Sequence, residues 1–315
     1  MRARVIGGLA AALFVLTACA GSSSGAASGG SVGTTAPPSA AFPVTITDDD
    51  GQQIVLAAPP ERIVTFAPSM TETVFALGLG DEVVGVSGAY DDYPAAARHV
   101  EQIGGAGEFG VDPNIEKVVA LQPDLFLTIE GGDQWKQQLR DLGIPVVTLN
   151  ATDLPDLLED IRTVGRITGA GEAADRLTAD MQTRADAVAA DVEAAGGPVS
   201  CFFEVYFPPL TTVGPDTFIY DLLQRAGCDP TTAAAKTDYP TWSIEKLIAD
   251  PPDVYLATPE SAKSAAAVAE RTGFDAIPAI AAGRVALIDS DLITRPGPRV
   301  IEGLEALESA LHPPG

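Results

Sequence analysis

The chain has 315 residues, of which 46% are hydrophobic and 20% charged, and its formal net charge at pH 7 is −24. A polypeptide of this length can bury two hydrophobic cores of ordinary size. The strong negative charge makes nucleic acid and other polyanions unsuitable ligands, whereas it favours association with a basic surface on a partner.

The N-terminus has the features of an export signal. Arg2 and Arg4 precede an apolar run that ends at Leu16, and small residues come before Cys19. The run is too short to span a bilayer as a helix. The sequence LTAC resembles the lipobox of bacterial lipoproteins, which implies removal of residues 1–18 and attachment of a lipid with acyl chains such as palmitate to Cys19. The alternative is an ordinary export signal in which Cys19 has no role.

Residues 19–41 are small, polar and rich in glycine and serine. Such a composition does not bury enough apolar surface to form a core. As a random coil the segment would span roughly 25–30 Å on average. We predict a flexible tether that holds an extracytoplasmic domain near the outer face of the cytoplasmic membrane.

Residues 42–168 predict a first α/β lobe. The sequence VTITDDDGQQIVL (44–56) predicts a β-hairpin, and short apolar runs then alternate with helical patterns. The predicted strands are 62–67, 82–87, 124–129 and 145–149, and the predicted helices lie near 69–78, 114–121 and 134–142. Apolar strands that alternate with helices predict a mainly parallel sheet covered by helices on both faces.

A long helix is predicted to connect this lobe to a second one. Residues 153–195 contain no strand-like run and only one break, at Gly169–Gly171. The helical spacing of apolar residues after this break predicts a rigid connecting helix within 169–197, and its roughly 24 helical residues would measure about 36 Å. Strand and helix patterns resume with VSCFFEVYF (199–207), so residues 198–315 are predicted to form a second α/β lobe.

One segment of the sequence occurs twice. NIEKVVALQPDLFLT (114–128) and SIEKLIADPPDVYLA (243–257) are identical at 7 of 15 positions and lie 129 residues apart. This spacing is too wide for a solenoid repeat and suits one copy in each of two lobes. Each copy predicts a helix cap, a short helix, a Pro-Asp turn and a strand. Glu116 and Glu245 lie two residues after the caps, where the helix dipole stabilises a carboxylate by about 0.3–1 kcal/mol, which is a purely structural explanation.

Two cysteines remain besides Cys19. An exported protein meets oxidising conditions, which favour a disulfide between Cys201 and Cys228. The alternative is two separately buried thiols. The sequence has no CxxC motif and no Cys/His cluster, so it does not indicate a structural zinc site.

The sequence does not indicate an enzyme or a metal centre. It has two histidines, His99 and His312, and neither has a nucleophile nearby in the sequence. Its only GxSxG patterns lie at 21–25 and 29–33, inside the Gly/Ser-rich segment and not at a predicted strand-to-helix turn, and it contains no GKS or GKT of a phosphate-binding loop. The sequence SMTE at 69–72 predicts a capping box, which would give Ser69 and Glu72 a structural role at the start of a helix.

Aromatic and polar side chains recur in the predicted loops and at predicted strand ends of both lobes. Each of them alone is typical of packing, but open α/β sheets bind ligands beyond the carboxyl ends of their strands. We therefore predict that these residues contact one ligand. The candidates are Tyr90, Phe109, Tyr206, Phe207, Tyr239, Trp242, Asp291 and Arg295.

From Glu61 to the C-terminus the chain resembles the periplasmic substrate-binding proteins of ABC importers for cobalamin, haem and iron-siderophores. The matching segments include ERIVTFAPSMTETVFALGLGDEVVGVS, AYDDYP, NIEKVVALQPDLFL, LGIPVVTLNA, GPDTFIYDLLQRAG, YPTWSIEKLIADPPDVYLA and RPGPR. The resemblance implies two lobes joined by a rigid helix and a protein that is not an enzyme and has no cofactor. It also implies a monomer that delivers a small molecule to a permease dimer in the membrane.

Within this family the motifs GVSGAYDDYP, EGG (130–132) and NAT (150–152) are most similar to those of cobalamin-binding proteins. By position, the resemblance implies that Tyr90 faces a corrin ligand and that Asp291 and Arg295 lie beside it. Tyr239 stands where the family often has tryptophan, and Phe109 lies in a loop that is longer than usual. Haem or a ferric siderophore is the alternative ligand, and an extracytoplasmic enzyme or an adhesion lipoprotein is less favoured.

The same resemblance gives the repeated glutamates a function. In the family, one surface glutamate from each lobe docks onto arginines of the dimeric permease, and Glu116 and Glu245 occupy those positions. A pseudo-symmetric pair of carboxylates is suited to two identical permease subunits.

Overall fold

The computed structural model describes residues 41–88, 90–104 and 112–313. Its strands are β1 (Val44–Thr47), β2 (Gln53–Leu56), β3 (Ile63–Phe66), β4 (Val83–Val86), β5 (Leu125–Thr128), β6 (Val146–Thr148), β7 (Val199–Phe203), β8 (Cys228–Pro230), β9 (Val254–Ala257) and β10 (Val285–Leu287). Its helices are α1 (Pro68–Ala76), α2 (Ile115–Leu121), α3 (Asp133–Asp141), α4 (Leu154–Thr168), α5 (Gly171–Ala194), α6 (Phe218–Arg225), α7 (Ile244–Ala249), α8 (Ala265–Ala269), α9 (Pro278–Ala281) and α10 (Val300–Leu311). Among the residues described, no helix is long and apolar enough to cross a bilayer.

The two lobes have the same sheet topology. The first lobe has the strand order β4-β3-β5-β6 and the second has β10-β9-β7-β8, with all neighbouring strands parallel. The four strands of each parallel sheet can be counted in chain order, from β3 in the first sheet and from β7 in the second. In both sheets the first strand then lies between the second and the third, and the fourth lies at the edge beyond the third. The predicted α/β class with two mainly parallel sheets is confirmed. The antiparallel hairpin of β1 and β2, also predicted, precedes the first sheet.

The shared topology accounts for the repeated sequence. Helix α2 leads into β5, the third strand in chain order of the first parallel sheet, and α7 leads into β9, the third strand of the second. The side chains of Asn114 and Ser243 cap these helices by accepting hydrogen bonds from the amides of Lys117 and Lys246. The repeat therefore marks equivalent positions in the two lobes.

The long connecting helix is confirmed as α5, which spans 24 residues. Its buried side chains lie at helical spacing and belong to the main core; they include Ala174, Met181, Ala185, Val188 and Val192. Arg184 of α5 donates two hydrogen bonds of 2.8 Å to the carboxylate of Glu305 on α10. Helix α5 also packs on α4, so it is attached to both lobes.

The predicted strand over 199–207 is too long, because β7 ends at Phe203. Phe203 is the last residue that pairs with β9. Tyr206 instead forms an isolated bridge with Thr211, which brings the chain back on itself around Pro208 and Pro209. Proline has no N–H to donate to a β-ladder, so the strand does not continue through this segment.

The predicted capping box at 69–72 is wrong. Helix α1 begins at Pro68, its N-cap is Ala67, and no side chain caps it. Proline is well suited to the first helical turn because its fixed φ matches the helix and its missing N–H would have no intrahelical partner. Ser69 and Glu72 therefore lie inside the helix, and Glu72 has a different partner, described below.

A disulfide joins Cys201 of β7 to Cys228 of β8, with a Cα–Cα distance of 5.5 Å. The predicted pairing of Cys201 with Cys228 is confirmed, so the two cysteines are not separate thiols. Both residues are buried in the main core. The bond closes a sequence separation of 27 residues, which on the chain-entropy model stabilises the folded state by roughly 3–4 kcal/mol.

Candidate ligand-binding site

A cleft of about 580 Å³ opens between the two lobes. It lies at the carboxyl ends of the strands, where open parallel sheets bind ligands. In the first lobe it is lined by the segments that follow β3, β5 and β6. The lining residues are Ala67, Pro68, Ser69, Met70, Ile129, Glu130, Leu149, Asn150, Ala151, Thr152 and Asp160 from the first lobe and Val205, Asp216, Thr217, Phe218, Ile219, Asp238, Tyr239, Ile293, Thr294, Arg295 and Pro296 from the second.

The ionisable side chains of the cleft are mainly acidic. Glu130, Asp160, Asp216 and Asp238 line it, whereas Arg295 is the one basic side chain among the described residues that do so. Arg295 is itself engaged with carboxylates, because it lies 2.6 Å from Asp291. A cleft with low-dielectric walls and one sign of charge focuses its electrostatic potential. The cleft therefore suits an uncharged or cationic ligand better than an anionic one.

Asp160 of α4 has a strongly raised pKa. Burial raises its pKa to about 8, and the nearby carboxylates of Asp49, Asp156 and Glu159 act in the same direction, against a hydrogen bond from the backbone of Ala151. At pH 7 the group is therefore mostly protonated. A neutral carboxyl group can donate one hydrogen bond into the cleft and accept others.

We expect the substitution Asp160→Asn to make folding stability less dependent on pH. The folded-state pKa of about 8 lies above the ordinary value of 3.8, so the folded state retains a proton that the unfolded state loses between these values. The free energy of unfolding of the wild type should then fall as the pH rises from about 4 to about 8. Asparagine imitates the neutral acid, so the stability advantage of the variant should grow over this range.

Urea unfolding at pH 4.5, 6.5 and 8.5 measures this effect. The matched control is Asp175→Asn, which changes an exposed carboxyl group on α5. A difference between Asp160→Asn and wild type that stays constant with pH would contradict the assignment.

An ion pair connects the lobes beside the cleft. The side chain of Glu72 on α1 is 2% exposed and pairs with Arg299, immediately before α10. Arg299 donates hydrogen bonds of 2.6 Å and 2.9 Å to the two carboxylate oxygens. Its guanidinium also lies 4.0 Å from the ring centroid of Tyr93. The two lobes approach closely next to this pair, since a Cβ added at Gly297 would lie 3.4 Å from the Cα of Ser69.

The loop that contains Tyr90 and Tyr93 is fastened to the first lobe by Asp91. This buried carboxylate accepts hydrogen bonds from the hydroxyls of Thr71 and Ser87. Asp91 of the motif AYDDYP thus has a structural role beside Tyr90, which is predicted to contact the ligand. The loop places Tyr90 and Tyr93 beyond the end of β4, and both rings are exposed.

The predicted ligand-binding residues do not all lie in one place. Tyr239 and Arg295 line the cleft, and Asp291 pairs with Arg295. Tyr90 and Tyr206 are exposed on loops that follow β4 and β7 but do not line the cleft. Phe109 lies outside the described residues.

Phe207 and Trp242 pack against the second-lobe core and do not line the cleft. The ring of Phe207 lies 5.2 Å from that of Phe274 and 4.3 Å from the guanidinium carbon of Arg271. The ring of Trp242 lies 4.1 Å from the ammonium nitrogen of Lys246. These contacts are those of packing residues that fix the surrounding loops.

Glu116 and Glu245 are exposed in equivalent positions, and neither forms an ion pair with another described residue. Hydrogen bonds from its own backbone and from the hydroxyl of Ser243 hold the pKa of Glu245 below its usual value. The aspartates of the repeat have a different role. Asp124 accepts hydrogen bonds from the amides of Glu61 and Arg62, and Asp253 accepts one from the amide of Ser200.

Comparisons with known proteins agree with this architecture. Residues 63–292 match the family described as periplasmic binding protein. The chain is 36% identical over 267 residues to an uncharacterised ABC transporter substrate-binding lipoprotein, YvrC, of Bacillus subtilis, covering 81% of each chain. It is 34% identical over 265 residues to a cobalamin-binding protein of Halobacterium salinarum, covering 80% of this chain and 70% of the relative.

A solved structure shows the same fold. The crystal structure of the periplasmic vitamin B12 binding protein BtuF of Vibrio cholerae superimposes with a TM-score of 0.71 at 25% identity, covering 80% of this chain and 97% of the other. The family match extends over most of the chain, and the two-lobed architecture is that of a transport protein rather than an enzyme. The chain therefore belongs to the periplasmic binding protein family and is an extracytoplasmic substrate-binding protein of an ABC importer.

Proposed function

We propose that this protein captures a cobalamin-like corrinoid in the cleft between its lobes and delivers it to a membrane permease. The observation that carries the proposal is the cleft itself, with its acidic lining and with exposed tyrosines on loops at the same ends of the sheets. Both a cobalamin-binding relative and a vitamin B12 binding protein of the same fold support the choice of ligand.

The chemistry of cobalamin matches the polar groups of the cleft. A corrin ring carries amide side chains, whose N–H groups are donors for the carboxylates of Glu130, Asp216 and Asp238. Their carbonyl groups are acceptors for Arg295 and for the protonated carboxyl group of Asp160. The ring of Tyr239 supplies apolar contact area at one side.

Haem is the second candidate, and the exposed tyrosines favour it. Haem iron takes an axial ligand such as a tyrosine oxygen, and Tyr90 and Tyr206 both present exposed side chains. Haem also carries two propionate carboxylates, however, and these would meet an acidic cleft with one basic lining residue. The same electrostatic cost applies to anionic catecholate siderophores. The charge of the cleft therefore favours the corrinoid.

Equilibrium dialysis with three ligands distinguishes these possibilities. The purified protein would be dialysed separately against cyanocobalamin, haemin and a cationic hydroxamate, ferrioxamine B, and its absorption spectrum recorded. We expect retention of cyanocobalamin and not of haemin. Retention of haemin with a shifted Soret band, and no retention of cyanocobalamin, would overturn the proposal.

We further propose that Glu116 and Glu245 dock onto basic residues of the permease dimer. The proposal is supported by their equivalent, exposed positions on α2 and α7 and by the absence of ion pairs to either of them within the described residues. Two carboxylates on two lobes of the same topology suit a partner with two equivalent subunits.

The N-terminal segment is proposed to anchor the protein to the membrane. Residues 1–18 would be removed, Cys19 would carry the lipid, and residues 20–41 would be the tether. The naming of the Bacillus subtilis relative as a lipoprotein supports this reading. We expect Cys19→Ala to move the protein from the membrane fraction to the soluble fraction, and continued membrane retention would contradict it.

A further inference from the structure

We infer that each docking surface contains an exposed aliphatic side chain beside the glutamate, so that the partner presents an apolar socket next to each of its cations. The aliphatic residues are Val119 on α2 and Ile248 on α7. We name Glu116 with Val119 the first docking patch and Glu245 with Ile248 the second docking patch. The inference rests on the proposed docking to the permease and adds a second component to it.

The two aliphatic residues are related by the same repeat as the two glutamates. Val119 and Ile248 lie 129 residues apart, as Glu116 and Glu245 do. Each aliphatic side chain is 43% exposed. No other two of the large hydrophobic residues exposed in the described parts of the chain have this spacing. Single exposed aliphatic residues are ordinary, but their recurrence at one position of both lobes calls for an explanation.

Packing within each lobe does not supply that explanation. The residues before them, Val118 and Leu247, are fully buried and make the core contacts of their helices. The classes of burial are the same at all six equivalent positions of 115–120 and 244–249. An exposed helix position is also better served by a straight-chain residue, since valine and isoleucine lose side-chain freedom in a helix. Neither the core nor the helix therefore requires an aliphatic side chain at this position.

In each docking patch the glutamate and the aliphatic residue lie on one face of the helix. Residues three apart on an α-helix have Cβ atoms about 5–6 Å from each other. Glu116 and Val119 have this spacing, and so do Glu245 and Ile248. One partner side chain that reaches the carboxylate would therefore bring its neighbours over the aliphatic group.

The lysine next to each glutamate has another partner. Lys117 lies 3.0 Å from the carboxylate of Glu101 and donates a 2.8 Å hydrogen bond to the carbonyl of Gln102. Lys246 lies over the ring of Trp242. Neither glutamate forms an ion pair with its neighbouring lysine, so both patches keep negative charge for a cationic partner.

The two docking patches are held on a common frame. Helix α5, the pairing of Arg184 with Glu305, and the pairing of Glu72 with Arg299 connect the two lobes, each of which carries one patch. A partner with two equivalent sites can engage both patches at once, which multiplies their separate affinities. The partner chemistry is thus a cation beside an apolar depression, present twice around a two-fold axis.

Serine substitution tests the aliphatic component. Full-length lipidated protein would carry Val119→Ser with Ile248→Ser, and its affinity for the cognate permease in nanodiscs would be compared with wild type. The control variant carries Val55→Ser with Leu142→Ser, because these side chains are 57% and 56% exposed outside the patches. We expect the patch variant to bind about tenfold or more weakly. The control should change by less than about twofold, and urea unfolding should show that both variants are as stable as wild type within about 0.5 kcal/mol.

A third variant, Glu116→Ala with Glu245→Ala, separates the inference from the proposal on which it rests. Loss of permease binding in this variant, with wild-type affinity in the patch-serine variant, would overturn the aliphatic component and leave the docking role in place. Wild-type affinity in both would overturn both. An equal loss in the patch-serine variant and in the Val55/Leu142 control would also overturn the inference, because it would assign the effect to general surface apolarity.

Discussion

The double substitution Glu116→Ala with Glu245→Ala is expected to abolish ligand uptake while it leaves ligand affinity unchanged. Both carboxylates are exposed on short helices and do not line the cleft. Truncating one partner of a hydrogen-bonded interfacial charge pair costs about 2–5 kcal/mol. Loss of two such pairs should reduce complex formation by at least a hundredfold, well beyond what transport tolerates.

Uptake of labelled ligand by cells that depend on this protein measures the first effect, and titration of the purified variant measures the second. The control variant carries Glu61→Ala with Glu260→Ala, one exposed glutamate from each lobe that forms no ion pair with a described residue. We expect this control to transport normally. Normal transport by the Glu116/Glu245 variant would refute the docking role.

Replacement of Arg299 by methionine is expected to destabilise the protein by about 3–5 kcal/mol. It leaves the carboxylate of Glu72, which is 2% exposed, without its bidentate partner. Removal of one member of a buried ion pair is costly because an uncompensated charge remains in a low-dielectric environment. Arg295 lies 3.7 Å from the same carboxylate and compensates in part.

The compensating variant combines Glu72→Leu with Arg299→Met. Because an apolar pair of similar volume can replace a buried ion pair at little cost, the double variant should recover most of the lost stability. The free energy of unfolding in urea measures both changes. Arg299→Met with wild-type stability would show that the lobes do not depend on this ion pair.

The sequence was informative wherever a local pattern determines the structure. The apolar runs at 62–67 and 124–129 predicted β3 and β5, because a parallel strand covered on both faces needs nearly continuous apolar residues. The repeat by itself predicts two related lobes. In the structure, α2 and α7 precede equivalent strands of the two sheets.

The sequence was less informative where function depends on distant segments that converge. Asp160, Asp216 and Asp238 reach one cleft only because the lobes place α4 and two loops together. Nothing in their local sequence distinguishes them from other surface aspartates. The local sequence SMTE predicts a capping box for Glu72. The true partner, Arg299, lies 227 residues away, where no local pattern can reveal it.

Within the repeat, the structure separates residues that build the fold from residues that remain for function. Asn114 and Ser243 cap helices, and Asp124 and Asp253 accept amide hydrogen bonds at the start of the first strand of each parallel sheet. The glutamates form no ion pair with a described residue, and the exposed aliphatic residues belong to none of the core clusters. The sequence repeat identifies both the structural residues and the residues left for function. Only the contacts in the structure distinguish the two groups.

Isothermal titration of the protein lacking residues 1–40 with cyanocobalamin tests the central claim most directly. This form retains every cleft-lining residue that the structure describes. We predict one molecule bound per chain with a dissociation constant of about 1 µM or lower, which corresponds to about −8 kcal/mol. Absence of binding heat at micromolar protein over two temperatures would contradict corrinoid capture.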